Sequence, residues 1–484
     1  MCHVEWLRAD DYWLARMLFQ RALGAIYFIA FLVALRQFRP LLGERGLLPV
    51  PDFTARVRFM DSPSLFHWRY SDRLLVAVCW SGLALAAGTV LGLPDLAPTA
   101  VAMLVWFALW ALYLSIVNVG QTFYAFGWET LLCETGFLAI FLGNAQVAPP
   151  ITLVYLIRWL LFRVEFGAGL IKMRGDPCWR DLTCLYYHHE TQPMPNPLSW
   201  YIHHLPRGLH RVEVLGNHFA QLVVPIFLFA PQPVASIAGV IVLGTQGWLV
   251  LSGNFAWLNF LTMTLAAASL DDRTLGSVFG AVLQPVGPEA SRIAVWFGAL
   301  VLALTALIVA LSYRPARNLL SRRQLMNYSF DPFNIVGTYG AFGSVTKERD
   351  EVIVAGTRDT VITSQTEWLE YEFKGKPGDV GRRPPQYAPY HLRLDWLMWF
   401  AAMSSPRDHE WFIPFMTKLL EADRRTLGLL RRDPFGGEAP RFVRASLYRY
   451  RFTTPAERRE TGAWWHRELL GEYHRPVSLR RTVR

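Results

Sequence analysis

The sequence predicts an α-helical polytopic membrane domain of about seven to ten spans, followed by a smaller mixed, β-containing soluble domain. Three observations carry this. Hydrophobic residues make up 52% of the 484 and charged residues only 18%. The apolar residues are gathered into long uncharged blocks. Beyond Arg314 those blocks stop, and short runs alternate apolar with charged residues.

The blocks set the spans. A bilayer core about 30 Å thick needs roughly 20 apolar helical residues to cross. Ile293–Tyr313 has 21 residues without a charge, one span. Val234–Leu270 has 37 without Asp, Glu, Lys, Arg or His, two spans with a turn near Ser252-Gly253-Asn254. Asn254 and Asn259, in that block, are expected to cap or to hydrogen-bond between spans. In chain order the candidates are Leu18–Leu35, Leu74–Leu93, Thr99–Asn118, Phe123–Leu142, Pro150–Phe166, Leu215–Ala230, Val234–Leu251, Phe255–Leu270 and Ile293–Tyr313. The first has no small-residue cleavage site after it and reads as an anchor. The fourth contains Glu129 and Glu134, the fifth Arg158 and Arg163. A charge at bilayer depth is costly, so these residues either pair in the protein interior or mark the edges of spans, and the fourth and fifth segments read either as spans or as re-entrant or interior-facing segments.

The transmembrane domain covers 1–319. Residues 320–455 read as one mixed domain. Trp368–Lys374 alternates as a half-buried strand does, Val352–Val354, Val361–Thr363 and Phe442–Tyr450 read as further strands, and Gly375–Pro389 as a loop. Tyr390–Met403 and Trp411–Arg432 read as helices, and Tyr390–Trp396 either as a contact surface or as a helix start. Residues 456–484 form a polar, Arg-rich tail expected to be weakly ordered.

The net charge of +10 would suit a nucleic-acid binder, but the basic residues flank apolar blocks. Membrane lipid is the expected partner and nucleic acid is not. With nine spans, Arg36–Arg73 and Gly167–Val214 share one face and carry seven and five Lys/Arg, respectively. The positive-inside tendency puts that face in the cytoplasm.

Gly167–Val214 is the informative loop. With its flanks, 165–218 holds six of twelve His and two of five Cys. Cys178 and Cys184 pair if the loop faces an oxidising compartment and stay as thiols if it does not. Cys79 and Cys133 lie in apolar spans as packing residues. The histidines show no HExxH or CxxC spacing, so no metal is expected, and no CxxC redox motif occurs.

The loop's motifs, GLIK at 169–172, RGD at 174–176, CWRDLTCL at 178–185 and ETQPMPNPLSWY at 190–201, resemble the signature segment of the lipase maturation factors. FGWETLL at 126–132, ETGFLAIFL at 134–142, VGTYGAFGSVTKERDEVIV at 336–354 and EYEFKGKPGD at 370–379 extend the resemblance in the same order. It implies an endoplasmic-reticulum protein in animals, or an inner-membrane protein in a bacterium, that helps secreted clients, dimeric lipases in the animal family, to reach an active fold. The loop and the C-terminal domain then face the lumen or periplasm, opposite to the charge count. The functional loop residues are Arg174, Asp176, Cys178, Trp179, Asp181, His188, Glu190, Asn196 and His218, with Glu129, Glu134 and Arg158 as intramembrane polar residues. No cofactor and no dedicated chemistry are expected, since the C-terminal domain has no recognised catalytic triad, P-loop or Rossmann fingerprint.

A more distant resemblance gives the alternative. GAGLIKM at 167–173 followed by Trp179 is similar to a short segment of the vitamin K-dependent γ-glutamyl carboxylases. It sets Lys172 on the lysine that serves there as base toward a reduced quinone. Desolvation beside Gly167–Ile171 would favour the neutral amine a base requires. The plainer role is a lysine snorkelling to the membrane interface at a helix end.

Overall fold

The computed structural model describes residues 5–279 and 293–479. Cys2 and the last five tail residues lie outside them. An N-terminal helical bundle is followed by a smaller part with two antiparallel sheets. Among the described residues, six helices are long and apolar enough to cross a membrane: Asp10–Leu42, Asp72–Leu91, Thr99–Asn118, Arg207–Phe229, Val234–Ser252 and Val295–Leu320. They expose large apolar side chains such as Leu91, Leu104 and Val309, as lipid-facing helices do. The chain is an integral membrane protein.

Six rather than nine has a physical reason. The regular helices used below are α1 (Trp13–Leu42), α2 (Asp72–Leu91), α3 (Thr99–Asn118), α4 (Gly127–Ala139), α5 (Ile151–Arg174), α6 (Leu185–Thr191), α7 (Arg207–His218), α8 (Val234–Ser252), α9 (Leu258–Ala267) and α10 (Val295–Leu311). The fourth predicted span is realised as α4, 13 residues long and so only about 20 Å. The fifth becomes α5, 24 residues long, which buries Arg158, Arg163, Glu165 and Lys172. The eighth is α9, ten residues. These three form the inner layer around which the long helices pack.

The predicted 167–214 loop is largely helical. The run Gly167–Ile171 continues α5 to Arg174, and α6, two shorter turns and the start of α7 fill most of the rest. Glycine is needed here for close approach. A Cβ at Gly167 would sit 2.4 Å from the Tyr339 carbonyl oxygen, and one at Gly175 2.1 Å from that of Gly343. The Tyr339–Gly343 backbone therefore lies directly on the end of α5, which explains why two sequence-distant glycine motifs occur together.

The C-terminal part is built on a four-stranded sheet ordered β4-β3-β5-β6. Two short strands, β1 (Tyr328–Ser329) and β2 (Gly337–Thr338), form a separate ribbon, and β3 is Arg349–Thr357, β4 Leu369–Glu370, β5 Phe442–Phe452 and β6 Trp465–Val477. β3 and β5 contain the predicted Val352–Val354 and Phe442–Tyr450. Val361–Thr363 is not a strand but an exposed turn-rich stretch, and of Trp368–Lys374 only β4 pairs regularly. The weakly ordered tail is corrected most: it holds a capped helix, α13 (Pro455–Thr461), and then the 13-residue edge strand β6. Its polar composition fits a strand with one face in water, where Arg467 pairs with Glu370 at 2.9 Å. Of the predicted helices, α11 (Arg393–Ala401) forms within Tyr390–Met403, but Trp411–Arg432 is broken. There α12 (Phe412–Leu420) stops two residues before Ala422, which has φ +48°, and Asp423 caps a new short turn by accepting from Thr426 N at 2.8 Å.

Candidate functional site

The inner helices enclose a cavity of about 860 Å³ whose wall includes Lys172, Trp179, His188, His189, Glu213 and Trp248, with Trp128, Trp396 and Trp399 also lining it. This apolar, aromatic lining with a few converging polar groups is how small-molecule sites are usually built.

Lys172, in the last turn of α5, is 4% exposed. Its Nζ donates to Asn217 Oδ1 and Gln221 Oε1, both at 2.8 Å, and lies 4.8 Å from the Trp179 ring centre. Two amide oxygens and an aromatic face suit an ammonium, so the side chain is held in place by the protein and does not snorkel. One layer deeper, Gln246 donates to Glu165 at 2.7 Å, and Asn259 donates to Gln246 at 2.7 Å. Asn259 thus bonds from the inner helix α9 to the long helix α8. Sequence reading missed Glu165, Gln221 and Gln246. For two of them a signal was there: Gln246 is a large polar side chain in an otherwise apolar helix, and Glu165 sits one helical turn before Gly169.

The predicted loop residues divide. Trp179 lies beneath Lys172, its Nε1 on the Phe342 carbonyl at 2.8 Å, and its own carbonyl faces His218 Nε2 at 3.0 Å. His188, on α6, lines the cavity between Phe255 and Phe342, and burial pushes its pKa down to about 3, so it is neutral. Asp176 caps the turn at Pro177 by accepting from Cys178 N at 2.9 Å. Glu190 accepts from Phe452 N at 2.6 Å, and Asn196 donates to the Leu251 carbonyl at 2.8 Å. These three hold the segment in shape. Arg174 points away to Gln324 and the Leu319 carbonyl, both at 2.8 Å, and Asp181 is exposed.

Cys178 and Cys184 are joined by a disulfide and both are buried. Replacing either by Ser is expected to lower stability by about 2 kcal/mol, because the bridge closes only a short loop. The double variant should lose no more than either single one, which thermal unfolding in detergent reads directly.

Of the four charges in the fourth and fifth predicted spans, three have charged partners, though not in one network. Arg163 bonds Glu134, which also accepts from Tyr339 Oη at 2.6 Å and Gly337 N at 2.9 Å. Glu129 pairs with Arg393, 2.8 Å away and contributed by α11 of the C-terminal part. Arg158 meets neither carboxylate; its guanidinium donates to Tyr12 Oη at 2.8 Å and to the Ala268 and Ser269 carbonyls. The Tyr390–Trp396 run is therefore a contact surface that plugs into the bundle. Asn254 adds a further tie, donating to the Pro195 and Pro385 carbonyls and accepting from Tyr387 N and Ala388 N.

Both halves of the chain have relatives. Residues 14–277 match the lipase maturation factor transmembrane domain, and residues 335–475 match the lipase maturation factor C-terminal domain. The chain is 44% identical to lipase maturation factor 1 of Homo sapiens over 98% of its own length and 89% of the relative's. It is 45% identical to lipase maturation factor 1 of Bos taurus over 98% and 90%. Against lipase maturation factor 2 of Rattus norvegicus it is 28% identical over 96% and 83%. No solved structure matches. With both domains matched in order and nearly the full length aligned, this chain belongs to the lipase maturation factor family.

Proposed function

We propose that this protein is a membrane-resident maturation factor that helps secreted lipases, or clients of similar build, to reach an active fold. The observation that carries the proposal is the near full-length match to relatives named for lipase maturation. The geometry is compatible with a folding role: Arg349 and Phe452 of the sheet bond to Glu190 of the 178–214 segment, and Arg393 of α11 pairs with Glu129 of α4, so segment, sheet and bundle are tied together. We place the 178–214 segment and the C-terminal part in the endoplasmic-reticulum lumen, or the periplasm of a bacterium. A disulfide persists there and clients arrive there after translocation. The test is expression in cells that lack their own maturation factor and secrete a dimeric lipase. Secreted lipase activity per mass of lipase should rise; unchanged specific activity at normal levels of this protein would refute the reading.

One observation favours a second reading, an enzyme that uses Lys172 as base toward a reduced quinone. Lys172 stands on the wall of a large aromatic cavity, a shape suited to an apolar ring. The same cells separate the two. Under the leading reading, Lys172→Ala and Lys172→Arg retain lipase activation per folded molecule. Loss of activation together with quinone turnover in both variants, at normal protein levels, would move the assignment to the enzyme.

A further inference from the structure

Apart from the Lys172 network, three side chains converge where α6 meets the first turns of α7. His189 comes from α6. His210 and Glu213 stand three residues apart on α7 and so share a face. Nε2 of His189 is 3.8 Å from Glu213 Oε2, and Nδ1 of His210 is 3.9 Å from the same oxygen. Both separations exceed a hydrogen bond. Yet His189 is 1% exposed and neither of its ring nitrogens has a partner; Nδ1 of His210, in a side chain 2% exposed, has none either. Buried imidazole nitrogens are normally satisfied, and these three groups present free lone pairs to one point.

We propose that His189, His210 and Glu213 bind a divalent transition-metal ion through two imidazole nitrogens and one carboxylate oxygen. The three ligand atoms lie within 4.8 Å of one another. Reaching metal–nitrogen bonds of ~2.0–2.1 Å takes small inward rotations of side chains carried by two packed helices. The outer contacts are those that orient ligands. Nε2 of His210 faces the His203 carbonyl at 3.4 Å, which keeps the proton there and leaves Nδ1 as the donor lone pair. Trp248 Nε1 donates to the other oxygen of Glu213 at 2.6 Å, fixing the carboxylate. Nitrogen donors exclude calcium and magnesium, and a two-histidine, one-carboxylate set suits zinc or ferrous iron. Because His189 and Glu213 also line the cavity, the remaining coordination position opens toward it.

The experiment uses the full chain purified in detergent. Its metal content is measured by plasma mass spectrometry as isolated, then again after chelation and reloading with zinc chloride, ferrous salt or cobalt chloride. About one zinc or iron per chain should survive desalting, and cobalt should give the visible absorption of a tetrahedral or five-coordinate site. Glu213→Gln, nearly the same shape, should abolish both signals. Trp248→Phe touches only an outer contact and should weaken zinc affinity about 10–100-fold while the chain still folds. Two results would overturn the proposal: a wild-type chain that holds no metal at saturating zinc, iron or cobalt, or Trp248→Phe and folded Glu213→Gln chains that bind it as tightly as wild type.

Discussion

Glu129→Gln is expected to lower the stability of the folded chain by about 3–5 kcal/mol, the usual loss when one partner of a buried ion pair is removed. Glu129 and Arg393 have no exposed side-chain surface, so water cannot replace either partner. Gln keeps the shape of Glu and only the charge is lost. Arg393 would then retain the Phe123 carbonyl at 2.7 Å and the Tyr124 ring beneath it at 3.4 Å, with no anion to balance its charge. His391, 3.6 Å from Glu129, cannot supply one. Adding Arg393→Met removes the stranded cation, and the double variant should recover part of the loss. Unfolding of the wild type, both single variants and the double variant in detergent micelles gives the four stabilities needed for the cycle. A neutral single variant, or no recovery in the double, would mean that the pair contributes little.

Arg349→Met should cost a similar amount and act in a different place. Arg349 and Glu351 are fully buried on β3, and Lys376 lies 2.9 Å from Glu351. The guanidinium also donates to the carbonyls of Glu190, Gln192 and Pro193. Methionine would leave Glu351 with one cation of two and all three carbonyls without their donor, an expected loss of about 3–5 kcal/mol. Those carbonyls belong to the segment just after His189. Hydrogen exchange should accelerate at residues 188–196 well before the bundle opens, whereas uniform acceleration would show that Arg349 stabilises only the sheet.

What sequence could and could not show follows from these contacts. Thr99–Asn118 and Val234–Ser252 were readable because a lipid-facing helix must be apolar over its whole length, and composition alone records that. α4 and α5 could not be sorted between spans and interior-facing segments because they are buried by protein, where length and charge are no longer limited by the bilayer. β6 was hidden because an edge strand with a wet face has the composition of a tail. In the site, Lys172, Trp179 and His188 stood out within one dense segment. His189, His210 and Glu213 lie in the same segment, but their grouping was not legible, because His189 meets the other two only through the packing of α6 on α7.

The Glu129–Arg393 pair also sets an order on biosynthesis. The carboxyl is made about 260 residues before its guanidinium, roughly 10–50 s at ordinary elongation rates of 5–20 residues per second. Throughout that interval the nascent bundle has a carboxyl in its interior without its cation, so it must stay protonated, loosely packed or in the keeping of the insertion machinery. Release as a closed bundle waits for α11 to emerge. Messages that stop short of Arg393 therefore yield chains that quality control has a physical means of recognising, even when every apolar helix has been threaded correctly.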